Sequence, residues 1–182
     1  ESADIALLHR WHNEPHVKAW YDRDLDLSTP ESVAEIYASE DQSHTQGYIV
    51  LWGGAPIGYI QTYRIRDYPY YSRHLDLDED AAGVDLFIGE AGYIHKGFSA
   101  HILRGFLAAV VFARPGTSSC VVGPEPANKA AIRAYEKAGF RYLKTVQIPG
   151  EPEPEELMGI TIEEFVAPPD SSRRESSSNP AH

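Results

Sequence analysis

Residues 83–111 set the limits on what this chain can fold into. Val84, Leu86, Phe87 and Ile88 make a short apolar run, the pattern of a buried strand. Asp85 interrupts that run, and a carboxylate in a buried strand needs a partner or a function. Glu90-Ala91-Gly92 reads as a loop. From Ser99 onward Ile102, Leu103, Phe106, Leu107, Val110 and Val111 recur every three or four residues. They share one face of a helix that Pro115-Gly116 ends. A helix start carries unpaired N–H groups and partial positive charge. Gly97, Ser99 and Ala100 have no bulk to keep a phosphate away from it. On these residues alone a phosphate site and a plain loop-to-helix junction stay equally open, because a single glycine is a weak signal.

Composition narrows the class. The 182 residues, 42% hydrophobic and 24% charged, suit one soluble domain, expected over residues 1–166. Residues 167–182, with Pro168-Pro169, serine runs and Arg173-Arg174, read as a disordered tail. No apolar run reaches membrane-spanning length and no signal-peptide pattern is seen, so no membrane partner is expected. The single cysteine, Cys120, sits in an apolar strand pattern and cannot form an internal disulfide, which favours a cytoplasmic setting. A net charge of −11 argues against nucleic acid. It suits a cationic small substrate if the acid lines a cleft, and it serves solubility equally well. Monomer and homodimer both remain open.

Along the chain, residues 4–12 and 15–21 predict helices, the second opened by Pro15. His9, His12 and His16 could share a helix face, but Asn13-Glu14-Pro15 breaks it and no cysteine joins them, so no metal is expected. Ser28-Thr29-Pro30-Glu31 starts a third helix to about residue 38. Residues 46–52 and 55–64 form a hairpin through Gly53-Gly54. A long loop is expected between strands, holding Asp67, Tyr68, Tyr70 and the acidic run 76–80. After the central unit come a strand at 119–122, a Gly123-Pro124-Glu125-Pro126 turn, and a helix over 129–138 capped by Asn128 and closed by Gly139. Strands at 140–148 and 157–165 flank an acidic turn through Glu155. The order gives an α/β mixed sheet with helices on its faces.

These residues resemble the GNAT superfamily of acetyl-CoA-dependent N-acetyltransferases, and within it the aminoglycoside 6'-N-acetyltransferases. The resemblance runs to about residue 165. It is carried by Trp11-His12-Asn13 and His16-Val17-Lys18-Ala19-Trp20-Tyr21, by Pro56-Ile57-Gly58-Tyr59-Ile60-Gln61-Thr62-Tyr63, by Gly83-Val84-Asp85 and by His95-Lys96-Gly97-Phe98-Ser99. The segment from Pro126 through Asn128, Tyr135 and Glu136-Lys137-Ala138-Gly139-Phe140 is highly typical of the superfamily.

The resemblance implies a sheet splayed between the family's fourth and fifth strands, here 83–89 and 119–122. The pantetheine arm of acetyl-CoA would pair with the backbone of Leu86, Phe87 and Ile88. Its pyrophosphate would sit on N–H groups of His95, Lys96, Gly97, Phe98, Ser99 and Ala100, with Asn128 and Tyr135 nearby. Asp85 would act as base or orient the amine, and Tyr135 would protonate the leaving thiolate. Trp20, Tyr21, Asp67, Tyr68 and Tyr70 would line the acceptor cleft beside Asp85, where rings and carboxylates suit a polyamine sugar.

The sequence departs from the pattern in two places. His95 and Ser99 stand where glycine is usual, and Gly123 replaces a cation-binding aspartate ahead of the Pro-x-Pro turn, with Glu125 as the nearest substitute. A GNAT acting on a lysine- or hydroxylamine-type siderophore precursor, and a non-catalytic acyl-CoA-binding protein, are the rival readings.

Overall fold

The computed structural model describes residues 2–21, 25–38, 44–77 and 81–167. The expected tail from 168 on and the acidic residues 78–80 lie outside the described residues. The strands are β1 (Gln46–Trp52), β2 (Ala55–Arg64), β3 (Ala81–Ile88), β4 (Ser119–Val122), β5 (Arg141–Val146) and β6 (Glu155–Thr161). The helices are α1 (Ser2–His12), α2 (Pro15–Lys18), α3 (Pro30–Tyr37), α4 (Pro69–Leu75), α5 (Phe98–Phe106), α6 (Lys129–Ala138) and α7 (Ile162–Val166). One sheet runs in the order β1-β2-β3-β4-β6-β5, with β3 and β4 parallel and the other neighbours antiparallel.

The parallel pairing is short. It joins Ala81 to Ser119, Ala82 to Cys120 and Gly83 to Val121, while β3 runs on to Ile88. β4 stops at Val122 because Pro124 and Pro126 follow, and proline has no N–H to give a ladder. Glu156 N–H donates to Pro124 O at 2.8 Å, so the chain beyond β4 is drawn toward β6. β2 holds the other side of β3 all the way, from Arg64↔Ala82 to Gly58↔Ile88. The sheet therefore opens on one side of β3 only. Counted along the described residues, the opening lies between the third and fourth strands.

Side chains alternate across β3. Val84 enters a core with Leu103, Leu107, Ile132, Met158 and Ile160, under α5 and α6. Phe87 enters a second core with Leu8, Trp11, Val17, Val33 and Tyr59, under α1–α3. Trp11 is fully buried, and its indole N–H donates to Glu90 Oε1 at 2.9 Å. Arg10 pairs with the same carboxylate, so α1 is fastened to the residue just past β3. No helix among the described residues is long and apolar enough to cross a membrane.

Three expectations change. The described part of the expected loop, residues 65–77, is not a plain loop: a 3-10 turn, Ile65–Asp67, leads into α4, with Pro69 at its first turn and Asp76 ending it at φ +47. The last strand stops at Thr161. There Thr161 Oγ1 accepts from Glu164 N–H and Glu164 Oε2 accepts from Thr161 N–H, a capping box that starts α7. The long helix expected to Pro115 is α5 followed by a π-helical turn, Leu107–Val111.

The three histidines of the N-terminal region go to different partners: His9 to Ser28 O, His12 to Tyr37 Oη and His16 to Ile88 O. Burial, then the charge of His9, pushes His12 from its ordinary value of 6.5 down to about 4. Between those values the unfolded chain binds a proton that the folded chain refuses, so stability is complete above pH 6.5 and is lost as pH falls toward 4. His12→Gln, which keeps a polar end for Tyr37, should flatten this part of the thermal-unfolding midpoint against pH.

Candidate active site

Gly89 N–H donates to Ile57 O at 2.9 Å, which fixes the hydrogen-bond alternation along β2–β3. Phe87 and Asp85 exchange bonds with β2, and Leu86 and Ile88 turn their N–H and C=O groups to the open side. There His16 Nε2 bonds Ile88 O at 2.9 Å. Beside this edge lies a cleft of about 480 Å³, walled by Leu86, Phe87, Ile88, His95, Gly97, Ser99, Ala100 and the inner face of α6.

The loop into α5 has two residues in the left-handed region, His95 at φ +59 and Gly97 at φ +80. Gly97 is the N-cap, and no side chain caps the helix. Its first N–H groups stay available at the cleft, as an anion requires. The structure brings His95, Gly97, Ser99 and Ala100 to the cleft wall. Lys96 is exposed outside it, and the Phe98 ring packs on Trp52 and Tyr93. Asn128 Oδ1 accepts from Ala131 N–H, capping α6.

A second cleft, about 460 Å³, adjoins the first and is lined by Trp20, Tyr21, Asp85, Gly123, Glu125, Asn128 and Glu155, among others. Trp20, Leu86 and Tyr135 belong to both. A third recess of about 270 Å³ continues from Asp85, Gly123 and Glu155 to Gln61, Tyr63, Tyr68 and Tyr71. No lysine or arginine lines the second cleft or this recess among the described residues. Asp67 and Tyr70 line neither. Asp67 is exposed on its 3-10 turn, and Tyr70 Oη donates to Pro149 O, because a helix starting at Pro69 turns Tyr71 inward and Tyr70 out.

Asp85 Oδ2 accepts from Gln61 Nε2 at 2.9 Å, and Tyr59 Oη donates to Gln61 Oε1 at 3.0 Å. Burial raises the Asp85 carboxyl above the usual range, and the Gln61 bond opposes the rise. Burial, then the charge of Asp85, then that of Cys120, raises the Tyr135 phenol, so its proton is held firmly. Tyr71 Oη donates to Glu155 Oε2 at 2.6 Å. Burial pushes Glu155 up to about 7, against the Tyr71 bond, and the charges of Asp85 and Glu151 push the same way. Sequence reasoning missed Gln61, Tyr71 and Glu155. Gln61 appeared there only within the segment from Pro56 to Tyr63, with no role of its own, and Glu155 only as the end of an acidic turn.

Residues 1–148 match the family described as the acetyltransferase (GNAT) domain. The chain belongs to the GNAT acetyltransferases. A GNAT relative in Klebsiella pneumoniae, "Aminoglycoside N(6')-acetyltransferase type 1", is 31% identical over 151 residues, which is 82% of this chain and 75% of that protein. The lysine N-acyltransferase MbtK of Mycobacterium tuberculosis is 26% identical over 141 residues, 77% of this chain and 65% of MbtK. The crystal structure of the aminoglycoside acetyltransferase AAC(6')-Ib with coenzyme A and kanamycin superposes with a TM-score of 0.79 at 30% identity. That superposition covers 90% of this chain and 92% of the other.

The loop of this GNAT domain carries backbone strain at one of its two left-handed residues, since only one is glycine. His95→Gly should stabilise the protein by up to about 1 kcal/mol. Gly97→Ala, whose new Cβ would meet nothing within 4 Å, should destabilise it by about 1–2 kcal/mol through backbone conformation alone. Opposite signs in denaturant unfolding are the check.

Proposed function

We propose that this chain is an acetyl-CoA-dependent N-acetyltransferase that acetylates the 6'-amine of an aminoglycoside, without a covalent enzyme intermediate. The observation that carries the reading is the meeting of two clefts at Leu86 and Tyr135, where β3 parts from β4. One cleft has the form of a cofactor site. It offers an unpaired strand edge at Leu86 and Ile88, and an uncapped helix start approached by small residues. Those backbone groups, those of residues 95–100, and the Tyr135 and Asn128 side of α6 would hold acetyl-CoA. When bound, acetyl-CoA supplies a thioester carbonyl open to attack.

The other cleft is acidic. Carboxylates of Asp85, Glu125, Glu151, Glu153 and Glu155 face it with no lysine or arginine among its described lining residues. That suits an acceptor with several ammonium groups, and the similarity to the aminoglycoside relatives supports an aminoglycoside. Trp20, Tyr21 and Tyr68 offer flat rings for a sugar face. An ammonium is not a nucleophile until it loses a proton. Asp85, raised by burial and oriented by Gln61, takes that proton directly or through one water. Tyr135 keeps its proton at neutral pH and gives it to the departing sulfur. Cys120 is buried and held as a thiol, which fits direct transfer.

Thiol-release kinetics with acetyl-CoA against kanamycin-type, gentamicin-type and lysine-type amines test the reading. Release with a kanamycin-type amine is expected. Release with lysine-type amines alone would move the acceptor to the class that MbtK's name describes. Asp85→Asn should lower kcat by about 10²–10⁴-fold with acetyl-CoA affinity retained, and full turnover would remove Asp85 from the role of base. Tyr135→Phe should lower kcat while the acceptor KM holds, and an unchanged rate across pH would assign the ring to packing.

A further inference from the structure

Gly123 has no side chain where the acceptor cleft most needs one filled. An ideal Cβ there would stand 2.1 Å from Glu155 Oε2 and 3.2 Å from Tyr71 Oη. The space beside the end of β4 is thus occupied by a carboxylate that arrives from β6. Its backbone is set by the neighbouring Glu156 N–H bond to Pro124 O, and its side chain by the 2.6 Å bond from Tyr71 Oη. Glu155 and Asp85 line the same second cleft and the same third recess. Glu125, the sequence's nearest substitute for a carboxylate at this point, lines only the second cleft.

We propose that Glu155, admitted by Gly123, is a specificity-determining residue of the acceptor site: it binds a second ammonium of the substrate, next to the amine that Asp85 serves. The substrate class follows. The acceptor carries at least two amines close together, and one stays charged while the other reacts. Tyr71 is the positioning residue. Its phenol donates to Oε2 and leaves Oε1 free of that bond for an ammonium donor. Ligand charge also resolves a conflict in the free protein, where the Asp85 and Glu155 charges repel without a cation between them among the described lining residues.

The inference rests on the acceptor reading above, and the test separates the two. Binding is measured by calorimetry on the coenzyme A complex with kanamycin and with 6-amino-6-deoxyglucose, which has the same kind of ring but a single amine. Turnover is measured in parallel. Glu155→Gln should weaken kanamycin by at least about tenfold and shrink its preference over the single-amine sugar. Coenzyme A affinity reports that the variant is folded. Gly123→Asp with Glu155→Ala, which returns a carboxylate to the same space from β4, should recover most of the lost affinity.

The groups facing Glu155 are Tyr71 of α4, Tyr63 of β2, Asp85 of β3 and Glu151 of the preceding turn. Glu155, pushed up to about 7, gains charge as pH rises, so wild-type kanamycin affinity should climb between about pH 6 and 8. Glu155→Gln should lose that limb. Equal loss for both sugars, or no loss for either, would overturn the proposal even with acetylation intact. Glu155-dependent binding without acetylation would keep it and overturn the reaction instead.

Discussion

The structure depends on a ladder that is allowed to fail. β3 and β4 pair through Gly83↔Val121 and then part, because two prolines follow β4 while β2 keeps β3 straight. A strand inside a sheet normally has both edges satisfied, since an unpaired buried amide costs about as much as a lost hydrogen bond. Here the backbone groups of Leu86 and Ile88 are left without a strand partner, in a row beside a cleft, with Ile88 O bonded by His16 instead. Every other part of the site is arranged around that opening. α5 points its uncapped start at it, α6 lays Tyr135 across it, and α2 with the turn after it closes its outer side with His16 and Trp20.

The same opening explains how a carboxylate and a phenol from opposite faces of the sheet come to influence one another. Asp85 alternates with Val84 and so belongs to the α1–α3 side, whereas Tyr135 packs in the core under α5 and α6. A continuous sheet would separate them. With β4 gone, burial and then the charge of Asp85 raise the Tyr135 phenol, and both side chains line one cleft. The burial that makes Asp85 costly to ionise also raises its carboxyl's affinity for a proton, the property that the proposed base role calls for.

Much of this was legible in the sequence where signals were local. The apolar run at β3 with its embedded Asp85, the four-residue β4, and α6 between Asn128 and Gly139 rest on periodicity and caps that a few residues carry. α4 was not legible, because Arg66-Asp67-Tyr68-Pro69-Tyr70-Tyr71 has no apolar period, and its Pro69 could as well have started a turn. α7 was hidden by the apolar β6 that runs straight into it, although Thr161 and Glu164 had the capping spacing. Gln61 and Glu155 were beyond local reading altogether. Gln61 meets Asp85 only through the β2–β3 register, and Glu155 reaches Gly123 only because β6 returns beside β4. From the sequence Gly123 looked like the loss of an acid, when the space it leaves is filled by Glu155 from β6, which returns beside β4, rather than from its own turn.

An open strand edge is also a template for unwanted pairing, because any extended segment of another molecule can add to it. The bond from His16 to Ile88 O occupies one of the exposed acceptors before any ligand arrives. A ligand that pairs with Ile88 O would therefore exchange one hydrogen bond for another, so that contact alone adds little net affinity.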